Sequence, residues 1–474
     1  MFEIAIRGGT TVTPDGFAEL DVGIQGEVIG AVTAPNAIPG ASAGRVIDAG
    51  GKIVMPGGID SHVHCAWHMP LPDGPAMKSA PPEVVSRAAL WGGTTALIDF
   101  AARDEPFSLV DTVAKRDEDW VGKCYCDYAY HLMLLGDIQP EILDELPKLI
   151  ADGYPTVKIF TTNITPSRAG RMVHFGDLWE LFKTLSQAGG LGVIHAEDND
   201  IVMHMYAKLV REDRVSFHNL AEVHNALSED LPFRRVLRLA ESEATPLYMM
   251  HVSAVTGVQA IREAPAKGQE IYGETLHQYL LYTQEGYKRP NGQMLHTYPS
   301  LKSQQDQDQL WAGTLDGTIS CVATDEVCCN LNIKTIGDRI DDTTGGNAGV
   351  EPCLGAIYNE MVTKRGYSLN QFVDQTSTNA AKITGLYPRK GAIAAGSDVD
   401  ICILDPSVRG VVKAETLHEA DYSPWEGHDI SAWPCLTMLR GKVMVEDGQF
   451  NGELDDGRYL KRSIPDSIRS GPAL

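Results

Sequence analysis

No apolar run in the 474 residues approaches the ~18 that a membrane-spanning helix needs. The opening MFEIAIRGG lacks the apolar core of a secretory signal. Basic stripes are missing too. Lys and Arg number 40 against 63 Asp and Glu, a formal net charge of −23, which argues against nucleic acid or an anionic membrane as partner. The acidity reads as solubility. Cysteines are nine, an odd number without a pattern: Cys124 and Cys126 alternate in a strand-like run, and Cys328 and Cys329 are adjacent, poor spacing for a zinc knuckle. A chain this long needs no disulfide framework, so the cysteines read as packing residues and the expected compartment is the reducing cytoplasm. Internal repeats are absent.

What is present is ordinary for a globular protein, 43% hydrophobic and 22% charged, and long enough for a large core plus a second unit. The first fifty residues alternate apolar and polar with turn punctuation, as in FEIAIRGGTTVTPDG. That texture returns in GSDVDICILDP (396–406) and CLTMLRGKVMVEDGQ (435–449), so segments 1–53 and 386–450 are expected to form one small β-sandwich, followed by a C-terminal tail, 451–474.

Between them, in 54–385, short apolar runs alternate with helical patterns. Eight runs read as strands: IVMPGGIDSHVH, TTALIDF, CDYAYHLMLL, YPTVKIF, LGVIHAE, PLYMMHVS, EIYGETL and TISCVATD. PPEVVSRAALWGG reads as a helix with proline at its start and glycine at its stop. DLWELFKTLSQAGG places Asp177 and Glu180 in capping-box spacing with Leu178, Leu181, Phe182 and Leu185 on one face. PEILDELPKLIADG is helical by period although Pro147 interrupts it. The expected fold class is α/β, a (β/α)8 barrel with the small β-sandwich appended. An open doubly wound sheet is the alternative, and the lack of a glycine-rich phosphate loop after the first strand speaks against it.

In a barrel of this kind chemistry gathers where the strands end. The first run ends in His62 and His64, two apart and so on one face; the fourth holds Lys158; the fifth ends in His195, the sixth in His251 and the eighth in Asp325. Each alone is weak, since a histidine after an apolar strand is commonly a structural residue and an aspartate there often caps a helix. Together they form a metal constellation at one barrel mouth. Imidazole and carboxylate suit Zn²⁺, with Mn²⁺, Co²⁺ or Fe²⁺ as alternatives.

Five such ligands are many for one ion and few for two. Lys158 lies among Val157, Ile159 and Phe160. A lysine at a strand end can simply reach out to solvent. In apolar surroundings, however, its amine is more often neutral, and a neutral amine adds CO₂ to become a carbamate with two anionic oxygens. Carboxylated Lys158 is therefore the candidate bridging ligand between two divalent ions.

These residues resemble a known family. HVH (62–64), VKIF (157–160), IHAED (194–198), MHVS (250–253) and ATD (323–325) are similar to the binuclear amidohydrolases. GNAGVE (346–351), the stretch TSTNAAKITGLYPRKGAIAAGSDVDICILDP (376–406) and ETLHQYL (274–280) resemble the hydantoinase and dihydropyrimidinase branch. The resemblance implies two zinc ions bridged by carboxylated lysine and hydroxide, with His62, His64 and Asp325 on one ion and His195 and His251 on the other. It implies a homotetramer that opens a cyclic amide ring (hydantoin, dihydropyrimidine, imide or ureide): hydroxide attacks the ring amide, and Asp325 passes the proton to the leaving nitrogen.

The chain also departs from that branch. Asn163 stands where many relatives carry a tyrosine for the developing oxyanion, and its amide is the expected replacement donor. Tyr298 stands where a serine is usual and Asn347 at another substrate contact, both expected to act through the backbone. Glu326 replaces a histidine, and Trp67 and His68, in place of smaller residues, belong either to loop packing or to a reshaped lid. These changes leave the substrate open. The competing readings are a linear-amide hydrolase or deaminase, and a non-catalytic scaffold of the same fold; the bridging lysine and the complete ligand set argue against them.

Overall fold

Eight apolar runs pair in parallel in chain order, each hydrogen-bonded to the next, in a computed structural model that describes residues 2–69, 71, 76–103 and 106–470. Met1 and residues 471–474, at the ends of the expected first segment and tail, lie outside the described residues. The strands are Gly58–Asp60 (β1), Thr94–Ala102 (β2), Asp127–Met133 (β3), Thr156–Phe160 (β4), Leu191–His195 (β5), Leu247–Met249 (β6), Ile271–Leu276 (β7) and Ile319–Ala323 (β8). Nearly every residue in them is buried, as expected for parallel strands covered by helices outside and filled by side chains inside.

Beyond the strands proper, the ring closes at its carboxyl edge. Val63 and Glu326 form a parallel bridge, with the His64 N–H donating to the Glu326 carbonyl (2.8 Å) and the Glu326 N–H to the His62 carbonyl (3.2 Å). An open sheet has no such contact between first and last strands, so the chain is a (β/α)8 barrel. The residues that close it are the ones singled out for chemistry.

IVMPGGIDSHVH is not one strand. Ile53–Pro56 pairs antiparallel with Ile401–Asp405 and parallel with Phe2–Thr13, while Gly58–Asp60 enters the barrel. The chain changes sheets at Gly57, where a Cβ would come within 2.2 Å of the Thr95 hydroxyl, so only glycine lets the backbone pass. The passage out of the terminal unit therefore lies at Gly57 rather than after residue 53. That unit is a single nine-stranded sheet built from both ends of the chain, around a core that includes Ile6, Val22, Ile24, Ile401, Leu436 and Met438.

The helices follow their periodicity. The helix Pro82–Trp91 begins on proline and stops at Gly92. Phe175–Ala188 buries Leu178, Leu181, Phe182 and Leu185 and ends at Gly189 in the left-handed region. Its start lies earlier than the Asp177/Glu180 spacing suggests: His174 is the N-cap, without a side-chain cap bond, and Phe175 is held under Arg235, whose guanidinium sits 3.7 Å from its ring centre. Pro140–Ala151 continues through Pro147, held by its buried face of Ile142, Leu146, Leu149 and Ile150.

One buried ionic cluster ties the two units together. Asp127, at the start of β3, accepts from the Lys390 amine (2.6 Å), the Arg440 guanidinium and the Arg458 N–H (2.9 Å), and Lys390 also contacts Asp400. Removing one member leaves the others charged and dry, a cost of about 3–5 kcal/mol. Asp127→Ala is expected to lower the denaturation midpoint accordingly, measured by urea unfolding; a midpoint unchanged from the parent would remove this cluster from the account.

Candidate metal centre

Strand register sets the site. Lys158 pairs with Met133 on one side and Val193 on the other, and Phe160 pairs with His195. Lys158 is buried inside the barrel, its Nζ 5.3 Å from the Phe100 ring centre and 5.1 Å from that of Phe160. Among the described residues no carboxylate lies within 4 Å of it. Burial lowers its amine to about 8, with Asp325 and Glu274 pulling weakly the other way. It does not reach solvent.

One ligand atom each from His62, His64 and Asp325 lies within 4.8 Å of the others, all three buried. Asp325 Oδ1 is 3.1 Å from His62 Nε2 and 3.3 Å from His64 Nε2. His251 lies beside this group, 5.5 Å from His62 between ring centres, and His195 is 4.4 Å from His251. One cavity is lined by all six expected metal residues: His62, His64, Lys158, His195, His251 and Asp325. His251 and Asp325 hold left-handed backbone, φ 39° and 51°, a conformation that non-glycine residues adopt at a cost.

Burial disfavours the charged form of three of these imidazoles. Burial takes His64 down to about 3 and His195 to about 4, and pushes His251 well below its ordinary value. Burial opposes the charge on Asp325, but His62, His64 and Lys158 outweigh it and hold the carboxyl below its usual range. Neutral imidazole with ionised carboxylate is the donor set a divalent ion requires.

The groups that orient these rings were not anticipated. Glu274, inside β7, takes His62 Nδ1 at 2.8 Å and the His251 N–H at 3.1 Å on one oxygen, and the Tyr248 hydroxyl at 2.7 Å on the other. Glu197 lies 3.0 Å from His195 Nε2 and 2.8 Å from His224 Nδ1. Phe100 stacks on His64 at 4.4 Å. A carboxylate within an apolar strand is the same signal that drew attention to Lys158, so Glu274 was findable.

The expected substrate residues divide. Tyr298 lines the cavity with Trp67, Ile164, Arg168, Arg171, Gly345 and Gly346. Asn163 does not: its Oδ1 accepts the N–H groups of Arg171 (2.9 Å) and Met172 (3.0 Å), and it borders a separate outer groove. Its amide oxygen shapes the loop. Asn347 is buried behind the lining, its N–H side directed at the Met294 carbonyl and its own backbone carbonyl accepting from Val327. Glu326 turns away, accepting from Gly349 (2.7 Å) and Val350 (3.0 Å). His68 is exposed, whereas Trp67 packs 5.0 Å from His64. The 344–346 turn is anchored by Lys334, fully buried, whose amine donates to the carbonyls of His296 (2.9 Å), Thr344 (2.8 Å) and Gly346.

Glutamine at 274 keeps the shape but loses the charge that holds the His62 ring and the His251 backbone. Outer partners of this kind carry about 10–100-fold in metal affinity. Glu274→Gln is expected to weaken Zn²⁺ retention by that factor in chelator competition, with the circular dichroism of the fold retained; unchanged retention would separate Glu274 from the metal centre.

Sequence profiles of the amidohydrolase family match residues 45–131 and 290–444. A D-hydantoinase of Ralstonia pickettii is 34% identical over 97% of this chain and 99% of its own. One from Geobacillus stearothermophilus is 35% identical over 97% and 96%. Among solved structures, a dihydropyrimidinase from Brevibacillus agri superimposes with a TM-score of 0.90 at 32% identity, covering 97% of this chain and 98% of its own. An L-hydantoinase (dihydropyrimidinase) from Arthrobacter aurescens does so with 0.86 at 27%, covering 98% and 100%. On sequence and fold alike, the chain belongs to the amidohydrolase family, in its hydantoinase branch.

Proposed function

We propose that the protein is a metal-dependent hydrolase that opens a cyclic amide ring: a hydantoin, a dihydropyrimidine or a related imide or ureide. The observation that carries this reading is the convergence of four histidines, Asp325 and a buried lysine on one barrel mouth. These residues fit a pair of divalent ions, Zn²⁺ first and Mn²⁺ or Co²⁺ as alternatives. Among the described residues His64 keeps a buried Nδ1 without a hydrogen-bond partner, and the second cluster, His195 with His251, has no carboxylate of its own among the expected ligands. Bound there, two divalent ions supply hydroxide at neutral pH and polarise the ring carbonyl.

The chain's own groups do the rest. Lys158, lowered to about 8, has a far larger neutral fraction near neutral pH than an ordinary lysine. Its lone pair adds to the carbon of CO₂ and a proton leaves the nitrogen, giving an anionic carbamate; so carboxylated, Lys158 would hold the pair of ions together with His62, His64, Asp325, His195 and His251. Asp325, held ionised, accepts the proton released as the ring carbonyl is attacked and delivers it to the departing ring nitrogen. Glu274 and Glu197 keep the imidazoles in place. Tyr298, Asn347 and the 344–346 turn shape the floor on which the ring lies, and Asn163 acts on that floor through the loop it braces. A homotetramer in the cytoplasm completes the proposal; the nine unpaired cysteines accord with a reducing compartment.

Turnover across dihydrouracil, 5-substituted hydantoins of both hands, allantoin and cyclic imides tests it. Ring opening of at least one class is expected, lost on chelation and restored by Zn²⁺, Mn²⁺ or Co²⁺. Since even outer partners carry about 10–100-fold, Lys158→Ala is expected to cost more than about a hundredfold, with partial rescue by a short carboxylic acid that fills the vacated space. A metal-loaded protein that opens no ring in the panel would contradict the reading.

A further inference from the structure

The loop after β4 carries two guanidiniums, Arg168 and Arg171, into the lining of the cavity that holds the metal residues. The loop is tightly determined. Asn163 Oδ1 holds the N–H groups of Arg171 and Met172, the Asn163 N–H donates to Asn199 Oδ1 (3.1 Å), and the Arg168 N–H donates to the Thr165 carbonyl (3.0 Å). Ile164 is forced into the left-handed region, φ 66°, a costly state for a β-branched residue. Such strain persists where the surroundings over-determine it, commonly at ligand sites.

Arg168 is half-buried, its guanidinium 5.4 Å from the ring centre of Tyr298, the bulky residue across the same cavity. Among the described residues no carboxylate lies within 4 Å of it. The nearby acidic groups are committed elsewhere: Asp341 to the Arg339 guanidinium (2.9 and 3.0 Å) and Asp342 to the Arg339 N–H (2.8 Å). A planar cation over an aromatic ring in the lining of a small cavity is suited to a carboxylate.

We propose that Arg168 selects ring amides bearing an acidic substituent, pairing with the substrate's carboxylate in the cavity it lines together with the metal residues. This deepens the ring-opening reading and rests on it. Tyr298 then has a role as well: it holds the guanidinium flat and narrows the cavity beside it.

The test compares each ring with and without its charge: hydantoin-5-acetate against its neutral amide, and dihydrouracil-6-carboxylate against dihydrouracil. The parent protein, metal-loaded, is expected to favour the acid of a pair by roughly tenfold or more in kcat/KM, the size of a hydrogen-bonded charge pair. Arg168→Gln is expected to bring that ratio near one, chiefly through the KM of the acid, and Arg168→Lys to retain part of it. A parent protein that opens the neutral rings without favouring the acids would overturn the inference and leave the ring-opening reading standing. An Arg168→Gln that slows acid and neutral alike, keeping their ratio, would also overturn it, because the arginine would then serve the loop or the ring. No turnover of any member would sink the ring-opening reading and this inference with it.

Discussion

A lysine amine sits inside an apolar barrel, packed between two phenylalanine rings, with no carboxylate in bonding reach among the described residues. Everything else at the barrel mouth is arranged around that constraint. Lowering its amine from 10.5 to about 8 corresponds to about 3 kcal/mol against the charged form. A position that disfavours the ammonium this strongly favours any chemistry that removes the charge. The proposed carboxylation would do so, and would replace a poor ligand with an anionic one. Burial likewise disfavours the charged forms of His64, His195 and His251.

The barrel supplies the rigidity. Its closing bridge between Val63 and Glu326 is also what brings His62 and His64 to Asp325, so the fold and the site share the same hydrogen bonds. Glu274 then spans from β7 to His62 and to the backbone of His251, one carboxylate linking the two halves of the ligand set. The left-handed backbone at His251 and Asp325 is tolerated because these strand ends are held from several sides. Outward lie the loop braced by Asn163 and the turn anchored by Lys334, with Tyr298 lining the cavity beside them.

Much of this was legible in the amino-acid sequence, for a definite reason. Parallel barrel strands are short, apolar and end at the active face, so polar residues near the end of each run point to the site; His62, His64, His195, His251 and Asp325 all lie there, and Lys158 stood out by contrast with its neighbours. Three things were not legible. The break at Gly57 leaves the apolar run unbroken and shows only in what the backbone must pass. The start of the helix at Phe175 depends on a partner, Arg235, sixty residues away. Asn163 sits at a position where homology suggests an oxyanion donor, but its side chain is captured by two loop N–H groups, a contact no periodicity reveals. Arg168 lies in the same aperiodic loop.

The central claim, that Lys158 is carried as a carbamate between two ions, is tested most directly by ¹³C NMR of protein loaded with Zn²⁺ in the presence of ¹³C-bicarbonate. The account predicts one carbamate carbon per chain, absent in Lys158→Ala and lost together with the metal on chelation. Two ions bound per chain with no carbamate carbon would contradict it.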